Sequence, residues 1–289
     1  MTPDSAPIDL EQGWALLLKL RRVSRTLETL PAHLDLGLKG TAPLVEITRE
    51  GSWTAQVPIT AAAVELLDLY LPIALAGRTR PFTVAHLGQS LDGRIATLNG
   101  ASCHINGPEN LTHLHRIRAL CDAIIVGANT VERDNPQLTT RRVTGPHPVR
   151  VVLDPRRRLS AEHGLFHDGA APTLLVCAEE MANQPGPGQA QIMGVPGDGQ
   201  RLLLAEVLRQ LQDRGLFGIF VEGGGLTVSA FLEAGLLDRL QIAIAPLIIG
   251  SGRPGITLPI IDDLSQGLRP PHRRYGMGQD VLFDCRLRD

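Results

Sequence analysis

The chain has 289 residues, and its 28 Lys and Arg residues nearly balance its 30 Asp and Glu residues, for a formal net charge of −2. This balance gives no support to binding of nucleic acid or of an anionic membrane, so we expect neither as a partner. The N-terminus lacks the pattern of a signal peptide, and no apolar run reaches the roughly 18 residues of a membrane span. We therefore expect a cytoplasmic protein of one large domain, or of one domain with an appendage.

Residues 1–80 differ in character from the rest of the chain. Apolar residues at helical spacing predict a helix over 10–30. The turn at 50–52 predicts a hairpin, and Thr60 is a candidate N-cap for a helix over 61–75. Residues 76–81 are expected to form a linker. This part contains no catalytic motif, and we interpret it as a small α+β appendage for packing, dimerisation or use as a lid.

From Pro81 onward, apolar strands alternate with helices, which is typical of an α/β sheet covered on both faces. The glycine- and proline-rich residues 183–200 are expected to form a surface loop with a short strand at 191–195. The helices are predicted over 108–120, 202–212 and 226–234. The strands are predicted over 82–87, 123–126, 149–153, 173–176, 218–221 and 240–245, with a late edge strand over 280–287.

The four cysteines, Cys103, Cys121, Cys177 and Cys285, are widely spaced and form no C-x-x-C pair. Only Cys103 has a histidine beside it, His104. Disulfide frameworks and structural zinc sites need closer sets of ligands. We therefore expect free thiols and no bound metal.

Two turns after predicted strands are candidate parts of a site. Glycines 223–225 stand between a strand and a helix, where a phosphate could approach the N–H groups of the helix N-terminus. The spacing is not G-x-G-x-x-G, so a plain tight turn is the alternative. Glu222 ends the strand, where it either accepts hydrogen bonds from a ligand or is a helix-capping or ion-paired residue. The turn at 90–93 is either a site element or a turn held by Asp92 alone.

Several charged side chains are further candidates. Arg118 lies on a predicted helix and Arg141 follows Asp134 along the chain. The guanidinium fork of arginine suits a phosphate, although a solvated surface arginine is the alternative for both. The basic residues 156–158 follow a strand, where they either bind the 2′-phosphate of a dinucleotide or form a solvated turn. His86, inside the first strand of this part, is either a core residue or faces the site.

Six ordered motifs from residue 81 onward resemble one family. They are V-A-H-L-G-Q-S-L-D-G-R-I-A, N-G-A-S-C-H-I-N-G-P-E, R-A-L-C-D-A-I-I-V-G-A-N-T-V, D-N-P-Q-L-T-T-R, V-E-G-G-G-L-T-V-S-A-F-L and I-A-P-L-I-I-G. The family is the reductase domain of bacterial riboflavin biosynthesis, the C-terminal half of the bifunctional pyrimidine deaminase/reductase. The resemblance implies a dihydrofolate reductase-like three-layer fold for residues 81–289, with a mixed, mostly parallel sheet, helices on both faces, and a homodimer.

The resemblance also implies NADPH-dependent reduction of a ribosylamino-pyrimidine 5′-phosphate, in which the ribose ring becomes a ribitol chain. The residues implied to contact NADPH are Gly88, His104, Thr130, Asp134, Gly224, Gly225, Leu226, Thr227, Val228, Ser229 and Ala230. Those implied to contact substrate are Ser102, Arg118, Leu138, Arg141 and Glu222. The expected catalytic residues are Asp134, Glu222 and His86.

The sequence departs from the family pattern at two positions. His86 stands where the family commonly has Lys, and His104 where it commonly has Trp. The zinc signature of the deaminase half is absent from residues 1–80, so we expect no deamination. Two alternatives stay open: a reductase of the same fold acting on another pyrimidine or a pteridine, and a non-catalytic binding protein on this fold.

Overall fold

A nine-stranded sheet forms the centre of the described part of the chain, residues 6–38, 42–102, 105–198 and 200–288 of a computed structural model. The helices are α1 (Leu10–Thr26), α2 (Ala61–Ala74), α3 (Pro108–Leu120), α4 (Ala128–Asp134), α5 (Leu204–Asp213) and α6 (Gly225–Glu233). The strands are β1 (His33–Leu36), β2 (Val45–Thr48), β3 (Trp53–Ala55), β4 (Phe82–Ser90), β5 (Arg94–Thr97), β6 (Ala123–Gly127), β7 (Val149–Leu153), β8 (Thr173–Ala178), β9 (Gln191–Val195), β10 (Gly218–Gly223), β11 (Arg239–Ala245), β12 (Gly252–Pro254), β13 (His272–Met277) and β14 (Asp280–Arg286).

The large sheet has the order β13-β14-β11-β4-β10-β6-β7-β8-β9. The strands from β11 to β9 run parallel, and β14 and β13 form an antiparallel hairpin at one edge. The strand predicted over 280–287 is present as β14, but its expected place at the edge is wrong because β13 pairs outside it. β13 was not predicted, because its first residues, 272–274, are polar and lack the apolar alternation that indicates a strand.

Alternate residues of each central strand enter two different hydrophobic cores, one on each face of the sheet. On β4, Val84 faces one core and Ala85 the other, and on β10 Phe220 and Val221 divide in the same way. This division explains why the parallel strands are nearly continuous apolar runs. The face with Val84 is covered by α3, and the opposite face by α5 and α6, which supply Val207 and Phe231 among others.

The first 80 residues complete the face that α3 covers. Helix α2 begins at the predicted cap, where the hydroxyl of Thr60 accepts a hydrogen bond from the N–H of Ala63. The predicted hairpin is formed by β2 and β3. Helices α1 and α2 share one core with the sheet, and Ala76 and Gly77, expected in a linker, are buried. The packing is thus continuous across residue 80, and a domain boundary at that position stays a prediction.

Asp122, between α3 and β6, joins three parts of the chain through one buried carboxylate. One oxygen accepts the backbone N–H groups of Phe217 and Gly218 at 3.0 and 2.8 Å. The other oxygen pairs with the guanidinium groups of Arg21 and Arg25 on α1. Burial lowers the pKa of Arg21, an effect that the charge of Asp122 opposes. The carboxylate therefore fixes the start of β10 and the position of α1 together.

A chain of buried hydrogen bonds links α2 to the sheet through α3. The hydroxyl of Tyr70 lies 2.6 Å from Nδ1 of His113, whose Nε2 lies 2.9 Å from the side-chain oxygen of Gln241. The Gln241 amide in turn donates to Asp284, which also pairs with Arg239. Burial holds the pKa of His113 well below its usual value, so its ring is neutral. A neutral ring that donates to Gln241 through Nε2 must accept the hydroxyl proton of Tyr70 at Nδ1.

We expect Tyr70→Phe to lower the free energy of unfolding by about 1–3 kcal/mol, because Nδ1 of His113 would be left buried without a donor. Urea unfolding monitored by circular dichroism measures this change. An unfolding midpoint equal to that of the unmodified protein would contradict the hydrogen-bond chain.

Candidate active site

The carboxyl ends of β4, β10 and β6 lie side by side, because β10 pairs in parallel with both neighbours. In open α/β sheets a ligand crevice forms where such strand ends meet. Val221 of β10 is paired with Ala85 of β4, and the next residues along the two strands are Glu222 and His86. Because successive side chains alternate between faces, both predicted site residues point to the α3 face of the sheet.

Two helices begin at these strand ends with glycine as the N-cap, and neither has a side-chain cap. Gly127 precedes α4, and a Cβ there would approach the hydroxyl of Thr227 to 2.6 Å. Gly224 precedes α6, and its N–H donates to the hydroxyl of Thr130 at 3.0 Å. Gly223 has a φ of 116°, in the region that favours glycine. The structure thus brings together Thr130, Thr227 and the uncapped start of α6, where an anion finds free N–H groups.

The predicted cofactor residues of α6 do not all face outward. Leu226, in the first turn, is 71% exposed, whereas Val228 is fully buried in the core. The hydroxyl of Ser229 is occupied, because it accepts the N–H of Thr257 at 2.9 Å. Gly225 lies under the backbone of the 254–255 segment, where a Cβ would meet a carbonyl oxygen at 2.4 Å. Ala230 follows in the second turn, half-buried.

Arg118 and Glu222 form a two-point ion pair across the crevice. Nε of Arg118 donates to one carboxylate oxygen at 2.7 Å, and Nη2 donates to the other. The third nitrogen of the guanidinium donates to the carbonyl of Thr139 at 2.9 Å. Both side chains are largely buried, at 8% and 15% exposure, so this charge pair is held in one geometry.

Arg141 is brought to the same place but keeps its charge unpaired. Its side chain donates to the hydroxyl of Thr139 at 2.7 Å, and its backbone N–H donates to Nδ1 of His115 at 2.9 Å. It makes no ion pair with any residue that the structure describes. Partial burial, followed by the nearby Arg118, lowers the pKa of Arg141, while Glu222 raises it. An exposed guanidinium beside a neutralised one is suited to bind an anion.

Other predicted residues are less directly part of this cluster. Leu138 is 1% exposed with a φ of 55°, so its side chain anchors the loop in the core. Asp134 is the last residue of α4, and much of its side chain is exposed. Partial desolvation of the carboxyl nevertheless raises its pKa, against the charge of Arg133. Ser102 is half-buried in the loop before α3, and His104 lies outside the described residues.

His86 and Gly88 lie beneath other side chains rather than open to the crevice. His86 is 3% exposed, and its Nε2 lies 3.0 Å from the side-chain oxygen of Asn110. Burial lowers the pKa of His86 to about 4, so the ring is neutral near pH 7. The side chain of Asn106 fills the space above Gly88, where a Cβ would be 1.8 Å from its oxygen. Asn106 was not predicted, because a single polar residue before a helix carries no sequence signal of its own.

The turn at 90–93 has a structural role over a long distance. The carboxylate of Asp92 accepts the hydroxyl of Ser90 and the backbone N–H groups of Ile249 and Gly250, at 2.5, 3.1 and 2.6 Å. These hydrogen bonds lower its pKa to about 2, the one from Ser90 most strongly. Two motifs that lie far apart in the sequence are thereby joined at the strand ends.

The basic residues 156–158 divide between two roles. Arg157 donates to the carbonyls of Met181 and Gln184 at 3.0 Å, which holds the neighbouring loop. Arg158 has a half-exposed side chain and donates to the amide oxygen of Asn129, in the first turn of α4. Arg158 therefore lies at the flank of the two helix N-termini.

The described residues contain neither a membrane-spanning helix nor a candidate metal site. No described helix is long and apolar enough to cross a membrane. Cys121, Cys177 and Cys285 are free thiols, and no group of three or more His, Cys, Asp or Glu side chains among the described residues could hold a metal ion.

The chain belongs to the RibD C-terminal domain family, whose model matches residues 81–264. It is 34% identical over 212 residues to the 2,5-diamino-6-ribosylamino-4(3H)-pyrimidinone 5′-phosphate reductase of Methanothermobacter thermautotrophicus, covering 71% of this chain and 97% of that protein. It is 34% identical to the riboflavin biosynthesis protein RibD of Aquifex aeolicus, covering 60% of this chain and 48% of that protein. The chain thus spans about half the length of such RibD relatives.

The crystal structure of a deaminase and 5-amino-6-(5-phosphoribosylamino)uracil reductase from Thermotoga maritima is similar, with a TM-score of 0.61 and 26% identity. The match covers 80% of this chain and 64% of that one. Three predictions are confirmed: the dihydrofolate reductase-like fold, the family, and the enzyme class, an oxidoreductase. The family match falls on the reductase domain alone, as expected.

Proposed function

We propose that this chain reduces a ribosylamino-pyrimidine 5′-phosphate of riboflavin biosynthesis, with NADPH as the hydride donor. The observation that carries the proposal is the cluster at the strand ends. There, Glu222 neutralises Arg118, whereas Arg141 is unpaired among the described residues. Both arginines lie on the side of the sheet where α4 begins, and this helix has no side-chain cap. Relatives matched over their reductase domain support the same reaction.

The residues around the two helix N-termini fit a nicotinamide dinucleotide. Gly224 and Thr227 stand at the start of α6, where a pyrophosphate could approach free N–H groups, and Thr130 holds the turn that precedes the helix. Gly225 is covered by the backbone of residues 254–255. NADPH supplies a hydride at this place when it is bound. Arg158, beside the first turn of α4, is the candidate partner for the 2′-phosphate that distinguishes NADPH from NADH.

The substrate phosphate is assigned to Arg141, whose charge no described residue neutralises. Glu222, held by Arg118, is oriented to accept hydrogen bonds from amino or amide groups of the pyrimidine. In the reaction, the carbon–nitrogen double bond of the opened sugar gains a hydride at C1 and a proton at nitrogen. Asp134 is our candidate to hold that proton, because partial burial raises the pKa of its carboxyl. We assign no proton transfer to His86.

One observation favours a second candidate, a reductase of the same fold that acts on another pyrimidine or a pteridine. The neutral, buried ring of His86 does not supply the positive charge of the lysine that the family commonly has there. Turnover of a different pyrimidine or pteridine, and none of the ribosylamino-pyrimidine phosphate, would support this candidate.

A segment after β11 supports the expected homodimer. Among its exposed apolar side chains, Ile260 is 95% and Leu264 78% exposed, and Ile248, Ile261 and Leu268 follow at 73%, 47% and 63%. Patches of this kind on a monomer are typical of protein interfaces. We propose that a second copy of the chain covers this segment, as an isologous dimer does.

The cofactor is tested by calorimetric titration with NADPH and NADH, followed by NADPH oxidation with the ribosylamino-pyrimidine phosphate. We expect tighter binding of NADPH, and turnover. Arg158→Gln should weaken NADPH binding about ten- to a hundredfold, since a charged hydrogen bond contributes ~1.5–3 kcal/mol, and leave NADH binding unchanged. Equal binding of both cofactors would contradict the role of Arg158, and binding of neither would contradict the proposed function.

We expect Arg141→Gln to raise the KM for the phosphorylated substrate about ten- to a hundredfold, because a charged contact with phosphate is lost. The matched control is Arg142→Gln, which removes the neighbouring exposed arginine and should change KM by less than about twofold. Steady-state kinetics of both variants at saturating NADPH decide the assignment. Similar KM values for the two variants would remove Arg141 from the substrate site.

We expect Ile260→Asp to dissociate the dimer, because it places a carboxylate in an apolar interface. Sedimentation equilibrium then measures the mass of one chain instead of two. Leu203→Asp is the control: Leu203 is an exposed leucine at the N-cap of α5, where aspartate is favourable. A monomer in the unmodified protein would refute the proposed dimer.

A further inference from the structure

The loop that carries Arg141 rests against the N-terminal part of the chain. We define this arginine loop as residues 139–147, between the site and β7. The indole nitrogen of Trp14, on α1, donates to the carbonyl of Thr144 at 2.9 Å. This hydrogen bond joins residues 130 positions apart in the sequence.

The crest of the arginine loop also fits closely between two helices. Gly145 has a φ of 153°, and a Cβ there would lie 2.5 Å from the Cβ of Ala119 on α3 and 3.4 Å from a methyl carbon of Leu18 on α1. Only glycine allows this approach without a shift of the loop. Helices α1 and α3 thus contact Gly145 from two sides.

Further hydrogen bonds connect the rest of the arginine loop to Arg141. Within the loop, the hydroxyl of Thr140 donates to the carbonyl of Pro146 at 2.9 Å, and the N–H of Thr140 donates to Nδ1 of His147 at 3.2 Å. The N–H of Arg141 donates to His115 of α3. A shift at Thr144 would therefore displace Pro146 and His147, which are hydrogen-bonded to Thr140, the residue directly before Arg141.

Trp14 packs against the core and also contacts two side chains beside the arginine loop. Its ring meets Tyr70 edge-on at 6.1 Å and lies 5.9 Å from the guanidinium of Arg116. A cavity of about 430 Å³ borders Trp14, Arg116 and Thr144 on this side. The depression is open to solvent, so the hydrogen bond from Trp14 is a contact that holds Thr144 on this side of the loop.

We propose that residues 6–80 position the substrate-binding arginine loop, and that Trp14 is the positioning residue that transmits this effect to Arg141. The proposal rests on the proposed function, which assigns the substrate phosphate to Arg141. It gives the N-terminal part a role in substrate affinity, separate from hydride transfer and from cofactor binding.

The test compares Trp14→Phe with Trp53→Phe in the full chain. These are the two tryptophans of the sequence, and each donates one indole hydrogen bond of 2.9 Å, Trp14 to the loop and Trp53 to Asp68 within the N-terminal part. Trp14→Phe should raise the KM for substrate about fivefold, the effect of one neutral hydrogen bond, with kcat and NADPH affinity unchanged. Trp53→Phe should leave all three constants unchanged.

Hydrogen exchange gives a readout that does not depend on turnover. We expect Trp14→Phe to accelerate exchange of the amides of Thr140 and Arg141, which are hydrogen-bonded to His147 and His115, and Trp53→Phe to leave them unchanged. Unchanged exchange and an unchanged KM in Trp14→Phe would overturn the proposal. Faster exchange in a protein without turnover would sustain it and reject the proposed function instead.

Gly145→Ala displaces the same loop from the opposite side, because its new Cβ meets Ala119. This variant decides the matter if Trp14→Phe fails to fold. A raised KM with unchanged kcat supports the proposal, and a KM equal to that of the unmodified protein rejects it.

Discussion

The buried carboxylate of Asp122 is the constraint on which the rest of the structure depends. Two guanidinium groups from α1 and two backbone N–H groups at the start of β10 share this one charge. A buried carboxylate is costly unless its oxygens are fully paired, so these partners cannot be moved independently. β6 and β10 start together at Asp122 and pair in parallel, with a register shift between Val221 and Gly223 at the far end, where the glycine-capped helices begin.

At those far ends the arrangement of charge determines what the crevice can bind. Arg118 is neutralised by Glu222, and the pair serves as a rigid frame with Thr139 as its third contact. Arg141 shares Thr139 but pairs with no carboxylate among the described residues, so its positive charge is not neutralised next to this pair. Separately, the starts of α4 and α6 offer unsatisfied N–H groups. The phosphate contacts that we propose for substrate and cofactor thus differ in chemistry, a guanidinium group for one and backbone N–H groups for the other.

Particular residues show how far the sequence could be read. The strand-then-glycine pattern at 218–225 correctly predicted the end of β10 and the start of α6, because both depend on neighbouring residues. The turn at 90–93 was correctly read as a turn, but the hydrogen bonds of Asp92 to Ile249 and Gly250 join positions about 157 residues apart. For His86, the sequence left two interpretations open, and the structure shows a buried ring beside the side chain of Asn110.

The sequence by itself determined the α/β class, the family, and most helices and strands from residue 82 onward, because apolar periodicity, caps and turns are local properties. It did not predict α4, β5, β12 or β13. The tertiary structure alone decided three features. β13 pairs with β14 at the edge of the sheet, α1 and α2 share a core with the sheet, and Trp14 contacts the loop of Arg141. These features join residues that are remote along the chain. Their energies come from burial and pairing in three dimensions, which no local pattern records.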